Sequence, residues 1–120
     1  MLLIYSAEDG RQPRSEDELR TLYAEYFRLG DELRAAGRLV SSEELAPVTS
    51  ATTIQVRDGE ALVTDGPFAE TKETLGGYYL IEADSLDEAI EWAARIPAAR
   101  DGKVEIRPVL DNSEYRASTP

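Results

Sequence analysis

The run Asp65-Gly66-Pro67-Phe68-Ala69-Glu70-Thr71-Lys72-Glu73 gathers carboxylates, an ammonium and a large apolar ring into one short stretch, and Gly76-Gly77-Tyr78-Tyr79 follows closely. Asp65, Glu70, Glu73 and the phenol of Tyr79 can serve as acids or bases when burial or crowding tunes them. Lys72 lies between glutamates, and neighbouring negative charge favours its ammonium form over a nucleophilic amine. Gly66 and Pro67 set a turn, Asp65 can fold its carboxylate onto the following amides, and Phe68 is expected to pin the loop to the core. Two readings fit these residues: a rim of charges beside an aromatic pocket, or a turn followed by a solvated charged stretch. Glu105 and Arg107, two apart on a strand, share one face. Partly buried, they would orient a ligand; at an exposed edge, they would form a solvated ion pair.

Other chemistries are excluded by composition. The chain has no histidine and no cysteine. The commonest general base, the thiol nucleophile, thiolate metal sites and disulfides are therefore absent. Ser41, Ser42 and Ser50 have no histidine to activate them, and neither a nucleophile elbow nor a phosphate-binding glycine loop is present. A metal site made only of carboxylates would favour Mg²⁺ or Ca²⁺, but no ligand-loop spacing occurs, so no metal and no cofactor are expected. The formal charge of −11 opposes direct binding to nucleic acid and to anionic membrane surfaces. The cytoplasm is the expected location: Met1–Tyr5 is too short for a signal peptide, and no run has the length of a membrane span.

The elements that must position these side chains follow from periodicity. Leu2 to Tyr5 reads as a strand buried on both faces. After a polar loop from Ala7 to Arg14, Ser15 and Glu18 form a capping box for a first helix. Leu19, Leu22, Tyr23, Tyr26, Phe27 and Leu33 are its expected inward face, and Gly37 its end. Arg38 to Leu45 is a strand. Thr52–Arg57 and Ala61–Thr64 pair around Asp58-Gly59, a two-residue hairpin turn. Asp65 to Leu75 is a loop, and Gly76-Gly77 lead into a strand over Tyr78–Ala83. Ser85 and Glu88 cap a second helix, with Leu86, Ala89, Ile90, Trp92 and Ala93 inward and Pro97 at its end. Lys103 to Val109 is the last strand, and the polar tail 111–120 is expected to fray.

The order β-α-β, hairpin, β-α-β predicts an α+β fold, a ferredoxin-like β-α-β-β-β-α-β sheet with two helices on one face, in one domain over residues 1–110. Two helices cannot cover both faces, yet both faces are apolar along the first and fifth strands. A second copy, sheet against sheet, is the simplest cover, and a homodimer burying Tyr5, Tyr79 and Ile81 is expected. Val104 and Ile106 share the opposite face from Glu105 and Arg107, which would then point into the dimer interior.

The string from Asp65 to Glu73, with the Gly-Gly-Tyr-Tyr after it, resembles the signature of DGPF-domain proteins within the YCII-related family. Met1–Tyr5, Ala51-Thr52-Thr53, Asp87-Glu88-Ala89, Trp92-Ala93 and Glu105–Pro108 agree with it, so the resemblance covers about residues 1 to 110. It implies a dimeric ferredoxin-like α/β barrel and an association with extracytoplasmic-function sigma factors. It also implies a His-Asp pair, which this chain lacks: the first helix has no histidine, and Ile96 precedes Pro97. Two function classes remain. One is a regulatory or ligand-binding module, with a small-molecule pocket in the dimer interior or an acidic surface for a basic partner such as a sigma factor. The other is an acid-base enzyme acting on a small molecule through carboxylates and tyrosine. The candidate binding residues are Asp65, Phe68, Glu70, Lys72, Glu73, Tyr79, Glu105 and Arg107, and no catalytic residue is assigned.

Overall fold

The structure, a computed structural model, describes residues 1–7 and 14–118. Most of the expected polar loop, residues 8–13, lies outside the described residues.

Among the described residues, six strands and four α-helices follow one another as β1 (Leu2–Ser6), α1 (Glu16–Ala35), β2 (Leu39–Glu44), β3 (Thr52–Arg57), β4 (Glu60–Asp65), β5 (Thr74–Ile81), α2 (Leu86–Ala94), α3 (Ala98–Asp101), β6 (Lys103–Ile106) and α4 (Ser113–Ala117), with a 3-10 turn at Val48–Ser50. The ends of α1 are written in the sequence. The Ser15 side chain accepts from the Glu18 amide at 3.1 Å, and Glu16, Asp17 and Glu18 place negative charge at the positive end of the dipole. At the other end Gly37 takes φ +71°, and Arg38 and Gly37 donate back to the Leu33 and Arg34 carbonyls, which closes the helix. Ser85 caps α2 in the same way, accepting from the Glu88 amide at 3.1 Å. Arg38 then ties the start of β2 to this cap. Its guanidinium grips Asp84 at 2.8 and 3.3 Å and meets Glu88 at 3.0 Å, which holds the Asp84 carboxyl below the usual carboxylate range.

The main sheet has the order β2-β5-β1-β6 with every neighbouring pair antiparallel, and it is open, not closed into a barrel. Each helical crossover therefore skips a strand: α1 joins β1 to β2 with β5 between them, and α2-α3 joins β5 to β6 with β1 between them. Leu2 and Tyr79 pack with Leu29 and Leu33 of α1, Ala93 of α2, and Ile96 and Ala98 beyond it. Ile4, Leu39, Ile81, Val104 and Ile106 pack against the same cluster. One face of the sheet is thus covered by helices, and the core lies there.

Several elements differ from expectation. Strand β5 starts at Thr74, so Gly76 and Gly77 lie inside it. The cause is close approach: a Cβ on Gly77 would come 2.7 Å from the Glu43 carbonyl oxygen of β2. On α1 the inward stripe is Leu22, Tyr26, Leu29 and Leu33, while Leu19, Tyr23 and Phe27 are exposed as a second stripe. Tyr23 and Phe27 stack there with ring centroids 6.0 Å apart. On α2 only the small side chains of Ala89 and Ala93 are buried, with Trp92 half-buried, because the helix packs close; Leu86 and Ile90 face outward. Pro97 does not simply end α2 but opens the short α3. Strand β6 stops at Ile106, ahead of Pro108, and part of the expected tail forms α4, where Asp111 accepts from the Ser113 amide at 3.0 Å.

The hairpin β3–β4 is a separate two-stranded sheet. Its turn residues Asp58 and Gly59 take φ +53° and +81°, as the sequence predicts.

Candidate functional site

The uncovered face of the main sheet collects the chemistry. Register fixes its rows. Tyr78 stands opposite Glu43 on one side and Leu3 on the other, and Leu3 stands opposite Glu105. One row toward the end of β1, Tyr5 stands between Leu75 and Lys103. Residues directly opposite one another share a face. Leu3, Tyr5, Tyr78 and Leu80 therefore form an apolar and phenolic floor, each half-buried.

The polar groups on this floor hold one another. The Tyr5 hydroxyl donates to Glu105 Oε1 at 3.4 Å, and Arg107 binds Glu105 Oε2 through Nε at 3.1 Å and Nη2 at 2.5 Å. This charge-assisted pair raises the already high pKa of Arg107, and in the single chain it is open to solvent, the Arg107 side chain 65% and the Glu105 side chain 41% exposed. Across the sheet the Tyr78 hydroxyl lies 3.4 Å from Ser41 Oγ. Lys103, which opens β6, forms an ion pair with Glu73. That contact draws the end of the 65–73 segment to the Tyr5 end of the floor.

Glu105 and Arg107 come together as their spacing implies, on the face opposite Val104 and Ile106. Glu73 joins them through Lys103. The rest of the segment stands apart. Phe68 is 89% exposed, so it does not pin the loop to the core. The expected Asp65 cap is absent too: among the described residues the carboxylate makes no hydrogen bond, because Asp65 is still in β4 and Gly66 turns with φ +97°. The turn is closed instead by Gly66 donating to the Ala51 carbonyl at 2.7 Å and by Thr53 Oγ1 donating to the Gly66 carbonyl at 2.8 Å. Asp65→Ala is accordingly expected to change stability by less than about 0.5 kcal/mol. Urea unfolding that shows a loss above about 1 kcal/mol would reveal a partner the structure does not contain. Glu70 and Lys72 are exposed and make no ion pair among the described residues.

Tyr79 is placed elsewhere. It lies on the helix side, 6% exposed, and its hydroxyl donates to the Tyr26 carbonyl at 2.9 Å. Burial, with the Tyr26 phenol nearby, pushes its pKa up to about 12. The expected burial of Tyr79 and Ile81 against a second sheet is thus corrected: both already pack beneath the helices, and Tyr78 and Leu80 occupy the uncovered face instead. Strand alternation groups Tyr78 with Leu80 and Tyr79 with Ile81, but which of the two pairs faces the helices is decided by where the helices pack. The same alternation would have added Lys103 to Glu105 and Arg107. Ser41 and Glu43 were hidden because β2 carries an irregularity between Leu39 and Ser41, which resets its phase.

Among the described residues, no group of three or more carboxylates is placed to hold a metal ion, and no helix is long and apolar enough to cross a membrane. A shallow groove of about 350 Å³ runs along α1 between Arg14, Glu18, Glu25 and Arg100, away from the floor.

The chain is 37% identical over 110 residues to an uncharacterised protein of Rhizobium meliloti (strain 1021), spanning 90% of this chain and 89% of the relative. Residues 1–113 match the YCII-related domain. That span reaches from the first strand of the floor past the last, taking in the hairpin and the 65–73 segment between them, and the chain belongs to the YCII-related family.

Proposed function

We propose that this chain is a homodimeric, ligand-binding regulatory module that holds a small molecule between the uncovered sheet faces of two copies. The observation that carries the reading is the floor itself, a bare sheet face whose centre is apolar and phenolic and on which Tyr5, Glu105 and Arg107 are joined by hydrogen bonds. The strand order, in which each β-α-β unit encloses a strand of the other, supports a ferredoxin-like reading and a dimeric α/β barrel as the assembly. Glu73 and Lys103 sit at the mouth of such a pocket.

Light scattering at micromolar concentration should report about twice the 13.3 kDa chain mass. Leu3→Lys puts a charge in the middle of the floor. In the monomer the lysine stem can lie flat and the ammonium reach water; in the dimer it is enclosed. The variant should fold normally and weaken dimerisation at least about 100-fold, the equivalent of about 2.7 kcal/mol. A wild-type chain that stays monomeric sinks the reading.

The formal charge of −11 supports a second class of partner, a basic protein surface such as that of a sigma factor. Amide shift mapping separates the two. A mixture of small polar metabolites that moves Leu3, Tyr5, Tyr78 and Glu105 favours the pocket. A lysine-rich peptide that moves only the outer acidic residues of α1 and α2, with strong salt dependence, favours docking.

A further inference from the structure

Among the described residues, the β3–β4 hairpin pairs with no other strand. Its twelve strand residues are exposed except Thr53, and it stands as a sheet of its own. The radius of gyration is 17.4 Å, against about 14 Å for a compact chain of this length, and the principal extents are 49 × 39 × 19 Å. The hairpin is an arm reaching away from the body.

A two-stranded hairpin in water is marginal at best without something against one face. Register shows which face needs it. Ile54 pairs with Val63 and Val56 with Ala61, so these four share one side. Ile54, Val56 and Val63 are 65%, 68% and 64% exposed. The opposite side carries Thr53, Gln55, Arg57, Glu60 and Thr64, with Leu62 its one large apolar residue, and is built for solvent.

We propose that the apolar face of this arm seats on a second copy of the chain, so that each protomer embraces its partner. The inference rests on the dimer read above and adds a second contact to it. Two physical arguments select this occupant. The first is area. Four strands about 4.8 Å apart, with about five residues each, give the main sheet a footprint of roughly 320 Å², against roughly 800 Å² per partner in a standard stable interface. One arm given and one received add roughly 400 Å² by the same spacings, which brings the total close to that size. The second is charge. Two copies at −11 each repel, so contact is favoured where charge is sparse, and Ile54, Val56, Ala61 and Val63 form such a patch, with Asp65 at its end the one charged residue on that side of the hairpin. The arm also leads straight into Gly66, Pro67 and the exposed Phe68. Seating it carries Phe68 toward the partner, so the segment that stood apart from its own floor becomes part of the dimer's shared surface.

The chain has no native cysteine, so a single one can be introduced without ambiguity. Gln55→Cys lies on the arm's outer side and carries a nitroxide without touching the proposed contact. Mixed with unlabelled-spin, ¹⁵N-enriched wild type at dimer-forming concentration, it should broaden amide signals of the enriched partner. The double change Ile54→Lys with Val63→Lys should leave the helical circular dichroism unchanged and weaken dimerisation at least tenfold. A dimer by light scattering in which the amide signals of the enriched partner stay sharp, or whose affinity is unmoved by the double change, overturns the arm and leaves the sheet-to-sheet dimer standing. A wild-type monomer at every concentration overturns both.

Discussion

Gly102→Ala is expected to destabilise the protein by about 3 kcal/mol or more, at the upper end of what overpacking costs. Gly102 is the hinge between α3 and β6. A methyl group there would overlap the Tyr5 carbonyl oxygen and stand 3.1 Å from the Ala98 carbonyl oxygen and 3.3 Å from the Ser6 Cα. All three are backbone atoms of packed elements, so none can swing aside as a side chain would. Gly76→Ala is the matched control: its nearest atom, the Ile4 carbonyl oxygen, would be 3.9 Å away. Relief of unfolded-state entropy alone should make that variant neutral or stabilise it by about 0.4–1 kcal/mol. Urea midpoints for the two variants should fall on opposite sides of, or one at and one far below, the wild-type value. A Gly102→Ala midpoint equal to wild type would mean that β1 and α3 are not packed as described.

The second large effect is alkaline. Tyr79 titrates near 12 when folded and near 10 when unfolded, so the folded state holds its proton more tightly. Its contribution is fully present below about pH 10 and is lost as pH rises through about 12. At about 1.4 kcal/mol per pKa unit the loss is on the order of 2–3 kcal/mol. Tyr26, raised chiefly by its own burial, adds to the slope in the same direction. Tyr79→Phe loses the hydrogen bond to the Tyr26 carbonyl and so about 1 kcal/mol at neutral pH. Between pH 10 and 12, however, its stability should fall much less steeply than that of the wild type. Denaturant midpoints taken every half unit across that range check the prediction, and parallel curves for the two proteins would refute the assignment.

Elements whose signal is local were legible. The capping boxes at Ser15 and Ser85, the Asp58-Gly59 turn and the alternation in β1, β3 and β6 each need only a few neighbouring residues. What could not be read depended on distant chain. The phase of β5 was clear, but its start was masked because Gly76 and Gly77 carry no side chain to alternate; their reason for being glycine lies in β2. On α1 the spacing of Leu19, Tyr23 and Phe27 suits burial as well as that of Leu22, Tyr26, Leu29 and Leu33, and only the position of the sheet decides between the stripes. The candidate site followed the same division. Glu105 and Arg107 were found from their spacing. The string from Asp65 to Glu73 marked the family clearly, yet among the described residues it is Glu73 alone that forms an ion pair with the main sheet.

The interleaved strand order has a consequence for synthesis. Strand β1 lies between β5 and β6, with Leu2 opposite Tyr79 on one side and Ile106 on the other. At about 5–20 residues per second, a ribosome needs roughly 5–20 s to pass from β1 to β6. Until β5 is made the apolar strand Leu2–Tyr5 has neither neighbour, and until β6 is made it has only one, while the local contacts of α1 and the hairpin can form within microseconds. The sheet can therefore close only once β6 has been made, by recruiting a strand made long before, a slow, non-local step of the kind that limits folding rates. Until then β1 is an exposed template for wrong pairing, and the acidic first turn of α1, Glu16 to Glu18, is the nearest following helical segment with the charge to keep other nascent chains away.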